Sequence, residues 1–82
     1  MRNQSDWEME QQLKMNLANR LKMLRKSRML TQQELADALN ISRAAYAYYE
    51  TGANGPKLYL LLRLADFYEV SIDYLLGRDV LH

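Results

Sequence analysis

The chain reads as all helical, on three grounds. Apolar residues recur at Met9, Leu13, Leu17, Leu21 and Leu24, the three-to-four-residue spacing of one helix face. No segment sustains the apolar and polar alternation of a strand. Short polar residues suited to helix caps stand ahead of the later apolar runs, at Thr31, Ser42 and Ser71.

Ser5 with Glu8 has the spacing of a capping box, which predicts a first helix from near Asp6 to about Arg28. Thr31 with Glu34 is a second capping box, directly before Leu35, Ala36 and Leu39, and predicts a short helix ending near Leu39. Asn40 tolerates the left-handed backbone conformation, so Asn40, Ile41 and Ser42 form a tight turn in which Ser42 caps a helix over Arg43–Thr51. Gly52 suits the end of that helix, and the Asn-Gly-Pro string at 54–56 leads into a fourth helix over about residues 57–68. Within it Leu58, Leu61, Leu62, Ala65 and Tyr68 are expected to face inward, leaving Tyr59, Leu60 and Phe67 on other faces. Ser71 caps a last short helix ending near Gly77.

With 82 residues, 49% of them hydrophobic, the chain has material for one core, since a second would need on the order of 50 more residues. The expected division is an N-terminal extension over residues 1–12, which can continue the first helix, a domain over 13–78 and a tail over 79–82. Cysteine is absent and the single histidine is His82, which removes disulfide frameworks, thiolate zinc sites and thiol nucleophiles; no metal and no cofactor is expected. No apolar run approaches the ~20 residues of a bilayer span and the N-terminus lacks a signal-like stretch, so a soluble cytoplasmic protein with no membrane partner is expected. An enzyme is not expected either. Glu34 and Asp37 lie three apart without a histidine or metal set beside them, and no glycine-rich phosphate loop is present.

The formal net charge is only +1, but residues 11–33 hold Lys14, Arg20, Lys22, Arg25, Lys26 and Arg28 with no acid. Such a stretch suits either nucleic acid phosphates or a solvated helix face with cations near its C-terminus.

Two short helices joined by a three-residue turn, with small Ala36 in the first and Tyr46 and Tyr49 holding the second against it, make a helix-turn-helix candidate. Together with the strings LKMLRKSRMLTQQELADALNIS, YYETG and LADFYEVSIDYLLG, this resembles the phage-repressor and Cro-type helix-turn-helix family, the xenobiotic-response-element type, over roughly residues 18–78. The resemblance implies a compact five-helix lambda-repressor-like DNA-binding domain whose helix 43–51 enters the major groove. It further implies that Arg43, Ala44, Ala47 and Tyr48 read bases, that Gln32, Ser42, Thr51, Asn54 and Lys57 touch phosphate, and that Arg25 and Glu50 form a scaffold ion pair.

Elementary electrostatics supports part of this. Arg43 and Lys57 are cations at helix N-termini, where each opposes the macrodipole by roughly 0.3–1 kcal/mol, and a phosphate or guanine edge nearby would explain that cost. Three departures from the family pattern carry expectations of their own. Ala44 and Ala47 stand where polar side chains are usual, so this surface either meets thymine methyl groups or takes a protein partner. Met29 stands where glycine is common, which predicts a different first connection. Lys57 replaces a common serine cap.

Tyr59, Leu60 and Phe67 are expected to form a homodimer interface, or else to pack beneath the N-terminal helix or the tail. The extension, with Trp7 and Met9, has three roles open to it: covering that apolar patch, binding a partner, or fraying. The function implied is a bacterial or phage regulator of transcription, a repressor binding a palindromic double-stranded DNA operator as a homodimer, with half-sites about 10 base pairs apart. The alternative is a protein-interaction module such as an antitoxin, which neutralises a partner protein and binds DNA only for autoregulation.

Overall fold

The structure is a computed structural model that describes residues 4–78; residues 1–3 of the expected extension and the expected tail 79–82 lie outside the described residues. It consists of α1 (Gln4–Ser27), α2 (Gln32–Leu39), α3 (Arg43–Thr51), α4 (Leu58–Tyr68) and α5 (Ile72–Leu75), with no strand among the described residues. The expected all-α, five-helix fold is therefore present, and the described part of the extension continues α1. Because α1 begins at Gln4, Ser5 lies inside its first turn and is not its cap.

The later helices begin where their caps place them. The Thr31 Oγ accepts from the Glu34 N–H at 3.0 Å while the Thr31 N–H donates to Glu34 Oε1 at 2.8 Å, which satisfies two N-terminal groups reciprocally. Ser42 accepts from the Ala45 N–H and Ser71 from the Tyr74 N–H, at 3.1 and 2.9 Å. The first connection does not differ as expected. Met29 adopts the left-handed conformation at φ 58°, as Asn40 does at 59° and Glu69 at 56°. That conformation costs a side chain carrying a Cβ about 1–2 kcal/mol, and the 90% exposed Met29 side chain gains no packing to offset it.

All five helices contribute to one core, in which Leu21, Leu35, Tyr46, Leu64 and Leu75 are fully buried. Burying each such side chain is worth roughly 1.5–3 kcal/mol, so the short α2, α3 and α5 owe their stability to this packing more than to helix propensity. Ala36 is wholly buried, as its place between the two short helices required.

α4 differs from expectation. Its buried stripe is Leu60, Leu61, Leu64, Ala65 and Tyr68, whereas Leu58 and Leu62 face solvent at 83% and 51% exposure. Leu60 is 4% exposed and packs in the core, which removes it from the expected Tyr59, Leu60 and Phe67 surface. Phe67 is half-buried, edge-on to Tyr68 with ring centroids 5.0 Å apart, while Tyr59 is exposed. The physical reason is a rotation of the helix about its axis. Leu60 and Leu64, one turn apart, meet the core, and that turns Leu58 and Leu62 outward.

Two arginines close helix C-termini. Arg28 donates to the Phe67 and Tyr68 carbonyls at the end of α4, at 3.3 and 3.2 Å, and Arg63 donates to the Leu39 and Ala38 carbonyls of α2, at 3.0 and 3.2 Å. Arg20 lies over the Tyr74 ring at 4.1 Å. Much of the basic stretch over residues 11–33 is thus committed to holding the fold.

Two stability outcomes follow. Met29→Gly removes left-handed strain without removing a contact and should raise stability by about 1 kcal/mol, read as a melting temperature about 4–8 °C higher. The Tyr68 hydroxyl is buried with no hydrogen-bond partner, and burial, with the nearby Glu50 charge, pushes its pKa up to about 12. Tyr68→Phe should therefore cost nothing and add up to about 1 kcal/mol in denaturant titration; a clear loss would show that the hydroxyl is bonded.

Candidate nucleic-acid interface

α3 owes its position to both of its ends and to its inner face. Ser42 caps its start, and Gly52 ends it at φ 82°, a conformation suited to glycine. A Cβ at Gly52 would also lie 2.6 Å from the Met15 sulfur, so α1 packs directly on that turn. Tyr46 and Glu50 are buried on the inner face, and Arg43, Ala44, Tyr48 and Thr51 are exposed on the outer one. Ala47 is half-buried at the edge of that outer face. Tyr46 and Tyr49 meet edge to face at 6.1 Å and pack into or against the core, as expected.

Glu50 organises the interior side. Arg25 donates to it twice, from Nε to Oε2 at 2.6 Å and from Nη2 to Oε1 at 3.0 Å, while Arg25 Nη1 reaches the Leu30 carbonyl at 2.8 Å. The Tyr46 hydroxyl donates to Oε2, and Gln32 Nε2 donates to Oε1 at 3.2 Å. Burial alone pushes the Glu50 carboxyl up, but the hydrogen bonds from Arg25, Tyr46 and Gln32 outweigh it and hold the group below its ordinary value. The hydrogen bond to Glu50 raises Arg25 further, against its own burial. Burial, and then the bond to Glu50, push the Tyr46 hydroxyl far up. The ion pair that the resemblance implied is thus present, and Tyr46 and Gln32 complete it. Tyr46 was readable as a partner, since it lies one turn before Glu50 on the same helix; Gln32, on another helix, carried no such signal.

Gln32 also links this network to the surface. With Nε2 bound to Glu50, its Oε1 points outward and accepts from Arg43 Nη1 at 3.5 Å, a long contact. The first residue of α2 therefore stands between the buried carboxylate and the exposed guanidinium at the start of α3.

On the other flank of α3 a shallow depression of about 490 Å3 is lined by Ser42, Ala44, Ala45, Tyr48, Tyr49, Asn54, Gly55 and Lys57. Five residues expected at a nucleic acid surface, Ser42, Ala44, Tyr48, Asn54 and Lys57, thus converge on one place. Gln32 and Arg43 lie together through their hydrogen bond and are not among the residues lining that depression. Thr51 turns its hydroxyl back on its own helix, donating to the Tyr48 carbonyl at 3.0 Å and accepting from the Ala53 N–H at 3.2 Å, so it shapes the loop. Lys57 forms no side-chain cap on α4. Ala45, Tyr49 and Gly55 were not anticipated as lining residues; a half-buried alanine, a half-buried aromatic and a loop glycine give no sequence signal for a surface.

Among the described residues no group of His, Cys, Asp and Glu is placed to hold a metal ion, and no helix is long and apolar enough to cross a membrane.

A family model described as helix-turn-helix matches residues 21–75. An uncharacterized HTH-type transcriptional regulator, YqaE of Bacillus subtilis, is 44% identical over 59 residues, covering 72% of this chain and 51% of its own. The HTH-type transcriptional regulator ImmR of the same organism is 43% identical over 65 residues, 79% of this chain and 51% of its own. The cryptic phage CTXphi transcriptional repressor RstR of Vibrio cholerae is 41% identical over 66 residues, 80% of this chain and 55% of its own. The chain spans about half the length of these relatives. The relatives are named as regulators and not as enzymes. No solved structure matches the chain significantly.

Because Glu50 has a lower pKa folded than unfolded, its contribution is complete above the ordinary carboxyl value of 4.5 and is lost as pH falls through the lower folded value. Glu50→Gln leaves Arg25 without its counter-ion and should cost about 3 kcal/mol at neutral pH. The gap from wild type should narrow in melting curves taken from pH 5 down to pH 3; a gap that stays constant would mean that Glu50 is not charged in the folded state.

Proposed function

The chain belongs to the helix-turn-helix family, and from that premise we propose that it is a sequence-specific DNA-binding transcriptional regulator, a repressor acting as a homodimer on a palindromic operator. α3 enters the major groove by its N-terminal half. Arg43 donates to a guanine edge, Tyr48 meets the neighbouring bases, and the Ala44 and Ala47 methyl groups pack on thymine methyls. Ser42, Asn54 and Lys57 fix the register on the phosphates, with Thr51 holding the loop between them, while Gln32, whose Nε2 is bound to Glu50 and whose outward Oε1 only accepts, acts by orienting Arg43. The protein would act in the cytoplasm, on nucleoid DNA.

The observation that carries this reading is the arrangement around α3. A helix whose outer face carries Ala44, Ala47 and Tyr48 has Arg43 on Gln32 at one side, and Ser42, Asn54 and Lys57 around one depression at the other. Arg43 and Lys57 sit at helix starts, where their charge opposes the macrodipole, and phosphate or guanine acceptors would compensate both. The Glu50 network makes the readout rigid, because the orientation of Gln32 that receives Arg43 is set by a buried carboxylate. A repressor named among the relatives, more similar to this chain than the activator also named there, favours that direction of control.

The test is selection of genomic fragments with the purified chain, then titration of the best fragment at two salt concentrations. Arg43→Ala should cost about 1–3 kcal/mol on the selected fragment and relax the preference at one base pair. Lys57→Ala should weaken all fragments alike and reduce the salt slope by about 1. Failure to enrich any fragment, or binding indifferent to both Arg43 and salt, would overturn the regulator reading and favour a protein partner on the Ala and Tyr surface.

A further inference from the structure

The loop between α3 and α4 contains the one asparagine of the chain that precedes a glycine, Asn54 before Gly55. Both residues are exposed, and both line the depression beside α3. Among the described residues neither the Asn54 carboxamide nor the Gly55 N–H has a hydrogen-bond partner, and the Asn54 N–H makes only a long 3.5 Å contact to the Tyr48 carbonyl. A Cβ placed on Gly55 would meet nothing nearer than the Lys14 stem at 3.9 Å, so no other part of the fold crowds this peptide.

The other described asparagines are held by their surroundings. Asn16 donates to the Leu76 carbonyl at 2.9 Å and accepts from Gln12 at 2.8 Å. Like Asn19, it lies within α1, where the helical ladder engages the N–H of the following residue. Asn40 precedes Ile41, a β-branched residue whose N–H donates to the Ala36 carbonyl at 3.0 Å.

An asparagine side chain can close a succinimide ring with the nitrogen of the next residue. Hydroxide removes the Gly55 amide proton, the nitrogen bonds to Asn54 Cγ, and the tetrahedral centre expels Nδ2, which takes up a proton from water and leaves as ammonia. Water then opens the ring at either carbonyl and leaves aspartate or isoaspartate at position 54, with no change of oxidation state. Ring closure needs an untethered carboxamide, an unbonded amide and a following residue without a Cβ in the way; Asn54 and Gly55 supply all three together.

We propose that Asn54 and Gly55 form a self-modifying site whose deamidation limits the lifetime of DNA binding; the effect on DNA rests on the operator reading above, in which Asn54 and Lys57 meet phosphate. The reaction replaces a neutral carboxamide by a carboxylate in the depression that Lys57 also lines, so the new charge repels phosphate and offers Lys57 a competing partner. The isoaspartate product also lengthens the loop backbone by a methylene. No buried residue takes part, so the modified chain loses DNA without unfolding.

The test incubates the purified full chain at neutral and at mildly alkaline pH and follows it by intact mass and peptide mapping. The mass change from NH2 to OH should map to residue 54, run faster at the alkaline pH and outpace any change at Asn16, Asn19 or Asn40, with isoaspartate detected by an isoaspartate methyltransferase. Gly55→Ala should suppress it; Gly55 has no positive φ and precedes Pro56, so alanine fits, and the fresh variant should bind a selected fragment as the wild type does. Aged wild type and fresh Asn54→Asp should both bind every fragment about tenfold more weakly, the worth of one phosphate contact over a tenfold range of salt, while aged Gly55→Ala keeps its affinity. Conversion at Asn54 no faster than at the other asparagines overturns the inference. So does a converted chain that binds as tightly as the fresh one, or an aged Gly55→Ala that loses affinity alongside the wild type. A chain that converts at Asn54 yet enriches no DNA upholds the modification site and overturns the operator reading instead.

Discussion

The structure depends on keeping one carboxylate charged inside a protein. Glu50 is 3% exposed, and a buried anion of this kind is tolerated only where donors surround it. Its donors come from three places: Arg25 of α1, Gln32 of α2 and Tyr46 one turn earlier on α3. The angle between the two motif helices and their seat on α1 are therefore tied to one charge. An apolar residue at position 50 could fill the same space, but it would not dictate which way Gln32 and Arg25 point.

This network links fold to surface over a short distance. Gln32 holds Glu50 by its nitrogen and presents its oxygen to Arg43, so the orientation of an exposed guanidinium traces back to a buried acid. The opposite flank of α3 is fixed by different means, the left-handed Gly52 packed under Met15 and the turn bonds of Thr51. Both flanks are rigid for local reasons, and between them the outer face of α3 carries small side chains and Tyr48. Such a face leaves room for close approach, and its one charged side chain, Arg43, stands at its N-terminal end.

Charge along the chain proved a poor guide to charge in space. The basic stretch over residues 11–33 could be read from the sequence, yet its destinations differ residue by residue. Arg25 neutralises Glu50, Arg28 closes the C-terminus of α4, and Arg20 covers the ring of Tyr74. Each arrangement satisfies a helix end, a ring or a buried acid elsewhere in the fold, and linear order contains none of those partners. Lys14, Lys22 and Lys26 complete that stretch, and the two cations at helix starts, Arg43 and Lys57, lie outside it.

Local chemistry was legible from the residues themselves. The Thr31 and Glu34 box, the Ser42 and Ser71 caps, Asn40 in its left-handed turn and Gly52 at the end of α3 act within four residues of chain, so composition and spacing determine them. The burial of Ala36 and Tyr46, and the packing of half-buried Tyr49 against the core, followed from the motif in the same way. The orientation of α4 did not. Its sequence LYLLLRLADFY is apolar on nearly every face, so periodicity cannot choose between Leu60 and Leu62, and packing against the rest of the core makes that choice. Gln32 as a bridge belongs with it: it depends on partners supplied by other helices, and such placement exists only once the helices have docked.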